Sequence, residues 1–254
     1  MAIKTPSESA IPILETEVTN VCWSCGEMRA AQFCHSCGKL QPAMPTDYFS
    51  FFGLPRLLNI DTEALEREMH SLSRKLHPDL YVRSSERERL WSLEQTSQLN
   101  DAYRTLRDPI ARTEYLLKLE GIQFDEQSKA ATEQARRTGK EKKQVVSAEL
   151  LEEVFELNVQ LEELRESKKA GQQDSKLLNE LERTKKKFQQ RMNQNLVELK
   201  GYWNEWDNLI AQIEDGEFIS REERREVLNK MLDVLNRRTY LNNLLREVNA
   251  ALAQ

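Results

Sequence analysis

Cys22-Trp23-Ser24-Cys25-Gly26 and Cys34-His35-Ser36-Cys37-Gly38 hold all 4 cysteines of the chain. Each Cys-x-x-Cys knuckle sends two thiolates toward one point. The glycine that follows permits the tight turn in which backbone N–H groups face sulfur. Four thiolates suit tetrahedral zinc, and the short spacer between the knuckles fits a rubredoxin-like ribbon. The metal would be structural, because so short a segment cannot bury a core alone. Iron in a rubredoxin-type site and a redox dithiol pair are the alternatives. His35 lies inside a knuckle as a bystander, since four cysteines already complete the ligand shell.

A second constellation is His77-Pro78-Asp79. Proline fixes its own φ and pushes His77 out of the helical region, so a preceding helix must end near Leu76. Asp79 can hydrogen-bond nearby backbone groups and shape the turn. The product is an imidazole and a carboxylate on a stiff, exposed corner. Arg74 and Lys75 adjoin it and suit acidic groups on a partner. The chain has 3 His, no Gly-x-x-x-x-Gly-Lys-[Ser/Thr] and no evident nucleophile–base pairing, so no enzyme is predicted.

The corner needs two helices to present it. Upstream, Asp61 to Leu76 is amphipathic, with Leu65, Met69, Leu72 and Leu76 on one face and Asp61 as cap. Downstream, a helical pattern runs through Leu90, Leu93, Leu99, Ala102, Tyr103 and Leu106 and stops at Asp108-Pro109. Pro109 opens a further helix through Tyr115 to Leu119, closed by Gly121. Ahead of them, Asp47 to Leu54 is one or two aromatic-rich helical turns. Residues 1–20 read as disordered, 21–40 as the ribbon, 41–45 as a linker, 46–121 as the helical hairpin domain and 122–146 as a polar connector. On metal removal the helical hairpin would keep its helicity, because its own core needs no metal. From 147 to 254 three long patterns predict an antiparallel three-helix bundle. Leu150, Val154, Leu157, Leu161 and Leu164 mark the first stripe. Leu177, Leu181, Phe188, Met192, Leu196 and Leu199 mark the second. The third begins at a Ser220-x-x-Glu223 capping box and runs from Val227 to Leu252.

Composition agrees with an all-α protein. The 254 residues are 31% charged and 39% hydrophobic, with only 8 Gly and 7 Pro. A net charge of −5 gives no electrostatic case for nucleic acid. No apolar run approaches the roughly 20 residues of a membrane span. The first twenty residues resemble neither a secretory signal nor an Arg-rich transit peptide. The expected location is therefore a bacterial cytoplasm, with a mitochondrial matrix as the lesser alternative. Homo-oligomerisation stays open.

Two helices around His-Pro-Asp resemble a J-domain. With the bundle behind it, the chain resembles the HscB/Jac-type co-chaperones of iron–sulfur cluster assembly. Asp47-Tyr48-Phe49-Ser50-Phe51-Phe52-Gly53-Leu54, Leu76-His77-Pro78-Asp79, Asn100-Asp101-Ala102-Tyr103-Arg104-Thr105-Leu106 and Tyr115-Leu116-Leu117-Lys118-Leu119-Glu120-Gly121 carry the likeness. Tyr-Leu-Leu is the most telling, because general J-proteins usually have Tyr-Asp there. The four-cysteine ribbon is similar to that of animal mitochondrial members. Two stretches are longer than in the family's compact form: 125–146 and Gly201 to Trp206.

The resemblance implies a co-chaperone that delivers an IscU-type scaffold protein to a DnaK/HscA-type chaperone and stimulates its ATPase. His77, Pro78, Asp79, Arg74, Lys75 and Arg67 would meet the chaperone. Leu151, Phe155, Glu156, Val159, Glu163 and Tyr240 would meet the scaffold. Glu152 stands where the family commonly has an aliphatic, and Val159 where it has an acid. The other functions weighed are a general protein-folding J-protein and a structural or regulatory zinc-ribbon protein. The first would need a Gly/Phe-rich linker or a β-rich client domain, and neither is present.

Overall fold

The structure is a computed structural model that describes residues 21–27, 32–122, 148–170, 174–216 and 219–253. The expected disorder at 1–20 and the connector from 123 to 146 lie outside the described residues. Seven α-helices are described: α1 Tyr48–Phe51, α2 Thr62–Leu76, α3 Glu86–Arg107, α4 Pro109–Leu119, α5 Ala148–Lys169, α6 Ser175–Glu214 and α7 Arg221–Leu252. The fold is all-α, a J-domain-type helical hairpin and a helical bundle preceded by a small cysteine ribbon. In the ribbon, Phe33 and Leu40 form an antiparallel bridge.

Local signals start and stop the helices as expected. Asp61 accepts from the N–H groups of Glu63 and Ala64 at 2.9 and 3.0 Å. Asp108 caps α4 through Ile110 and Ala111, and Pro109 occupies the first turn. Ser220 and Glu223 form both halves of the capping box on α7. Gly121, at φ 75°, ends α4 in a left-handed conformation that a side chain would resist.

Two compact units result, Met1–Phe52 with Glu66–Tyr103 and Gly53–Leu65 with Arg104–Gln254. In the first, Leu40, Phe51, Leu72, Leu76, Leu99 and Ala102 form a core, flanked by Phe33, Met69, Tyr81 and Trp91. Leu40 and Phe33 come from the ribbon, so the ribbon is part of this core. The expected linker is corrected at Gln41, which is 0% exposed. Leu90 and Leu93 also depart from expectation. Both are more than half exposed, and α3 instead buries Ser92, Gln95, Leu99 and Ala102. The polar pair faces inward because it bonds buried backbone carbonyls: Ser92 Oγ that of Leu76 and Gln95 Nε2 that of Gln41.

In the second unit, helix lengths decide the packing. α5, α6 and α7 have 22, 40 and 32 residues, or about 33, 60 and 48 Å at 1.5 Å per residue. α5 covers only the N-terminal part of α6. There Glu153 meets Lys187 at 2.6 Å and Arg191. Leu157, Leu161 and Leu164 bury against Leu177, Leu181, Phe188, Leu241, Leu245 and Val248. α7 runs back along α6 through Arg238 to Met192 O, Arg237 to Glu198 and Lys230 to Glu205. The rest of α6 is covered by α4 and residues 56–59. Trp203 Nε1 donates to Thr113 Oγ1 and Trp206 Nε1 to Arg56 O, both at 2.9 Å. Asp207 accepts from the Leu58 and Asn59 N–H groups at 2.7 and 2.9 Å. Arg112, 4% exposed, lies over the Trp203 ring at 5.0 Å. The Gly201 to Trp206 stretch that looked like an excess is thus a continuous turn of helix with both indoles buried.

Candidate functional site

The four cysteines converge. Their sulfurs all lie within 4.8 Å of one another, with Cys22–Cys37 at 3.7 Å and Cys25–Cys34 at 3.6 Å. Gly26 and Gly38, at φ 76° and 69°, make the turns, and their N–H groups return to the Cys22 and Cys34 carbonyls. Ser24 N–H points at Cys22 Sγ at 3.3 Å. Burial raises the Cys22 thiol, but N–H groups of Cys25 and Ser24 and the Cys25 and Cys37 thiols outweigh it and bring it to about 6. On Cys34 the Cys37 N–H lowers the thiol against burial, helped by Ser36. Cys25 gains from the Glu27 N–H, yet desolvation and the neighbouring Cys34, Cys22 and Cys37 sulfurs push it up to about 12. The N–H groups of the two turns therefore favour the thiolate at Cys22 and Cys34. This donor set can hold a metal ion.

The ribbon is fastened to α3 and α1. Trp23 stacks at a tilt on Trp91, centroids 5.7 Å apart, and gives its Nε1–H to Leu40 O at 2.7 Å. Gln32 Nε2 reaches Phe51 O at 2.8 Å. Lys39 meets the buried Glu88 carboxylate at 3.6 Å, while Ser85 bonds the same side chain from its hydroxyl and N–H. Those contacts, the Ser85 hydroxyl foremost, hold the Glu88 carboxyl below the ordinary glutamate range despite its desolvation.

His77 begins a single 3-10 turn, Pro78–Tyr81, at φ −56° and ψ 128°, the non-helical conformation that the proline demands. Its Nδ1 accepts from Asp79 N–H at 3.3 Å and lies 3.5 Å from Asp79 Oδ2. The side chains are 54% and 85% exposed. Arg74 and Lys75 are exposed on the last turn of α2, and Arg67 is exposed two turns earlier. Beneath the corner the carbonyls that end α2 are satisfied from elsewhere. Leu76 O accepts from Ser92 Oγ at 2.6 Å and Thr96 Oγ1 at 3.1 Å, and Lys75 O accepts from Tyr81 OH at 3.0 Å. Burial, then the charge of Glu88, raises the Tyr81 phenol. Sequence patterning missed Ser92, Thr96 and Tyr81, since polar residues in a helix ordinarily face water.

On α5, Phe155 is 71% and Val159 42% exposed, so neither joins the bundle core. Glu156 and Glu163 are exposed beside them. Phe155, Val159 and Glu163 follow one another at intervals of four along one face. The Leu151 side chain lies outside the described residues. Tyr240 is partly buried against the core that includes Leu157 and Leu161, and burial followed by the charge of Glu247 raises its phenol.

Comparison with known proteins gives this geometry its context. The chain is 32% identical over 216 residues to the mouse iron-sulfur cluster co-chaperone protein HscB, an alignment covering 83% of this chain and 76% of the mouse protein. It belongs to the HscB co-chaperone family. Similarity to the Vibrio cholerae HscB homolog is 44% over 79 residues, spanning 31% of this chain and 46% of that one. The crystal structure of human co-chaperone protein HscB superimposes with a TM-score of 0.56 at 25% identity, covering 91% of this chain and 97% of the human one. No family model matches the chain. HscB membership makes this a co-chaperone of iron–sulfur cluster assembly. No described helix is long and apolar enough to cross a membrane.

Proposed function

We propose that the chain binds an IscU-type iron–sulfur scaffold protein and delivers it to a DnaK/HscA-type chaperone, whose ATPase the His77-Pro78-Asp79 corner stimulates. The observation that carries this is the build of that corner. Two ionisable side chains stand exposed on a turn whose foundation, Leu76 O, is held by two hydroxyls. Rigidity beneath and exposure above lower the ordering cost of docking. Arg74, Lys75 and Arg67 supply positive charge on the same helix for acidic partner groups.

The scaffold would dock on α5. A 71% exposed phenylalanine flanked by acids suits an anchor entering a partner's pocket, worth about 2 kcal/mol or more on truncation. Leu151 would extend the face, and Tyr240 would act from α7. The chain would perform no chemistry of its own. Zinc is the metal proposed for Cys22, Cys25, Cys34 and Cys37, in a reducing compartment such as the bacterial cytoplasm. Tetrahedral Zn–S bonds of about 2.3 Å place sulfurs roughly 3.8 Å apart, close to the 3.6 and 3.7 Å found here.

One experiment separates the two surfaces. A purified DnaK-type chaperone and IscU-type scaffold are combined with wild type, His77→Gln, or the triple change Leu151→Ala, Phe155→Ala and Tyr240→Ala. His77→Gln should abolish ATPase stimulation and retain scaffold affinity by calorimetry. The triple variant should lose scaffold affinity and retain basal stimulation. Full stimulation by His77→Gln, or wild-type scaffold affinity in the folded triple variant, refutes the corresponding half.

A further inference from the structure

Gln41 has the packing of a keystone. It is 0% exposed. Its side-chain Nε2 donates to Cys22 Sγ at 3.3 Å and to Lys39 O at 2.8 Å. Its backbone N–H donates to Gln32 O at 2.9 Å, and its carbonyl accepts from Gln95 Nε2 on α3 at 2.5 Å. One residue therefore joins the buried sulfur of the first knuckle, the exit of the second and the helix behind the corner.

The arrangement carries a cost. Gln41 Oε1 and Gln95 Oε1 are buried with no hydrogen-bond partner among the described residues. Burying an amide oxygen unpaired is unfavourable. A residue needed only to fill the core would be apolar, as the neighbouring Leu40 is. What glutamine adds is a neutral N–H aimed at sulfur. Glutamate could not supply it and would set a like charge beside a thiolate. Methionine would keep the volume and lose the donor.

We propose that Gln41 is a positioning residue for the cysteine site, holding Cys22 Sγ in its ligating orientation and linking that sulfur to α3 through Gln95. The proposal rests on the reading that the four thiolates bind one divalent metal. Groups that hydrogen-bond a ligand orient it and tune its basicity without touching the ion. Gln95 lies on α3 between Ser92 and Thr96, the residues that hold Leu76 O below His77. Any coupling of the metal to α3 along this path is reciprocal, so the proposal requires that a change at Gln95 alter metal affinity.

The test measures Zn2+ affinity of the full chain by competition with a chromophoric chelator, using wild type, Gln41→Met, Gln95→Met and Gln32→Ala. Circular dichroism verifies the fold. Gln41→Met should bind Zn2+ about tenfold or more weakly. Gln95→Met touches no sulfur and should weaken it too, while Gln32→Ala, which removes only the bond to Phe51 O, should leave affinity unchanged. Wild-type affinity in Gln41→Met overturns the proposal. If Gln41→Met does not fold, wild-type affinity in Gln95→Met overturns it instead. Wild type that binds no Zn2+ overturns the metal reading itself, a result distinct from either.

Discussion

Removing the two hydroxyls beneath the His77 corner tests whether that corner is rigid by construction. Leu76 is 0% exposed and its carbonyl, at the end of α2, has no later turn to bond. Ser92→Ala alone leaves the Thr96 bond at 3.1 Å, and Thr96→Val alone leaves the Ser92 bond at 2.6 Å. Each single change should cost about 0.5–1.5 kcal/mol, the net value of one hydrogen bond. The double change leaves a buried carbonyl unpaired and adds its desolvation penalty of about 1–3 kcal/mol. The cycle should therefore be non-additive by about 1 kcal/mol or more. Native-state hydrogen exchange gives the local reading. The Leu80 amide, bonded to His77 O at 3.0 Å, should exchange faster in the double variant than the two singles predict together. Additive singles with unaltered exchange at Leu80 would refute the idea that α3 holds the corner in place.

Asp207→Ala removes the acceptor of three N–H groups, from Leu58 N and Asn59 N and Nδ2. It should lower stability by about 2–4 kcal/mol in urea unfolding, and an unchanged midpoint would contradict that assignment. Glu88 titrates below its ordinary range when folded, so its contribution is present above the unfolded value of about 4.3 and is lost as pH falls through the depressed folded value. Glu88→Gln should flatten that acid limb in a near-UV circular dichroism titration; identical acid limbs would sink the assignment. Elemental analysis under reducing conditions should find about one equivalent of metal, and less than about a tenth would contradict a closed four-thiolate site. Because Leu40 and Phe33 sit in the core with Leu76, chelation should also loosen the helical hairpin, and unchanged thermal unfolding would argue otherwise.

Much of this architecture was legible because it rests on local rules. The caps at Asp61 and Ser220, the helix start at Pro109, the stripes of Leu157 and Leu161 or Val227 and Met231, and the paired knuckles follow from spacing alone. Other features depend on partners remote in the chain. Gln41 reads as the start of a linker until its bonds to Cys22 and Gln95 are seen. Ser92, Gln95 and Thr96 look like a solvent face, and Leu90 and Leu93 like the core. The interior needed donors for backbone carbonyls there, so the polar stripe turned inward and displaced the leucines outward. Trp203 and Trp206 looked superfluous because nothing near them in sequence announces Thr113 or Arg56.

The anchoring of residues 58 and 59 by Asp207 has a temporal side. The partners are 149 and 148 positions apart. At about 5–20 residues per second, a ribosome takes roughly 7–30 s to make that stretch. Leu58, which ends fully buried, must wait through synthesis of the connector and most of the bundle before its N–H finds a carboxylate. Closing so long a loop also slows refolding of the intact chain, since its entropy is spent before the contact forms. The early segment at residues 58 and 59 can therefore be captured only once residue 207, on a helix made much later, has been synthesised. Until then the backbone N–H groups of Leu58 and Asn59 lack the Asp207 carboxylate.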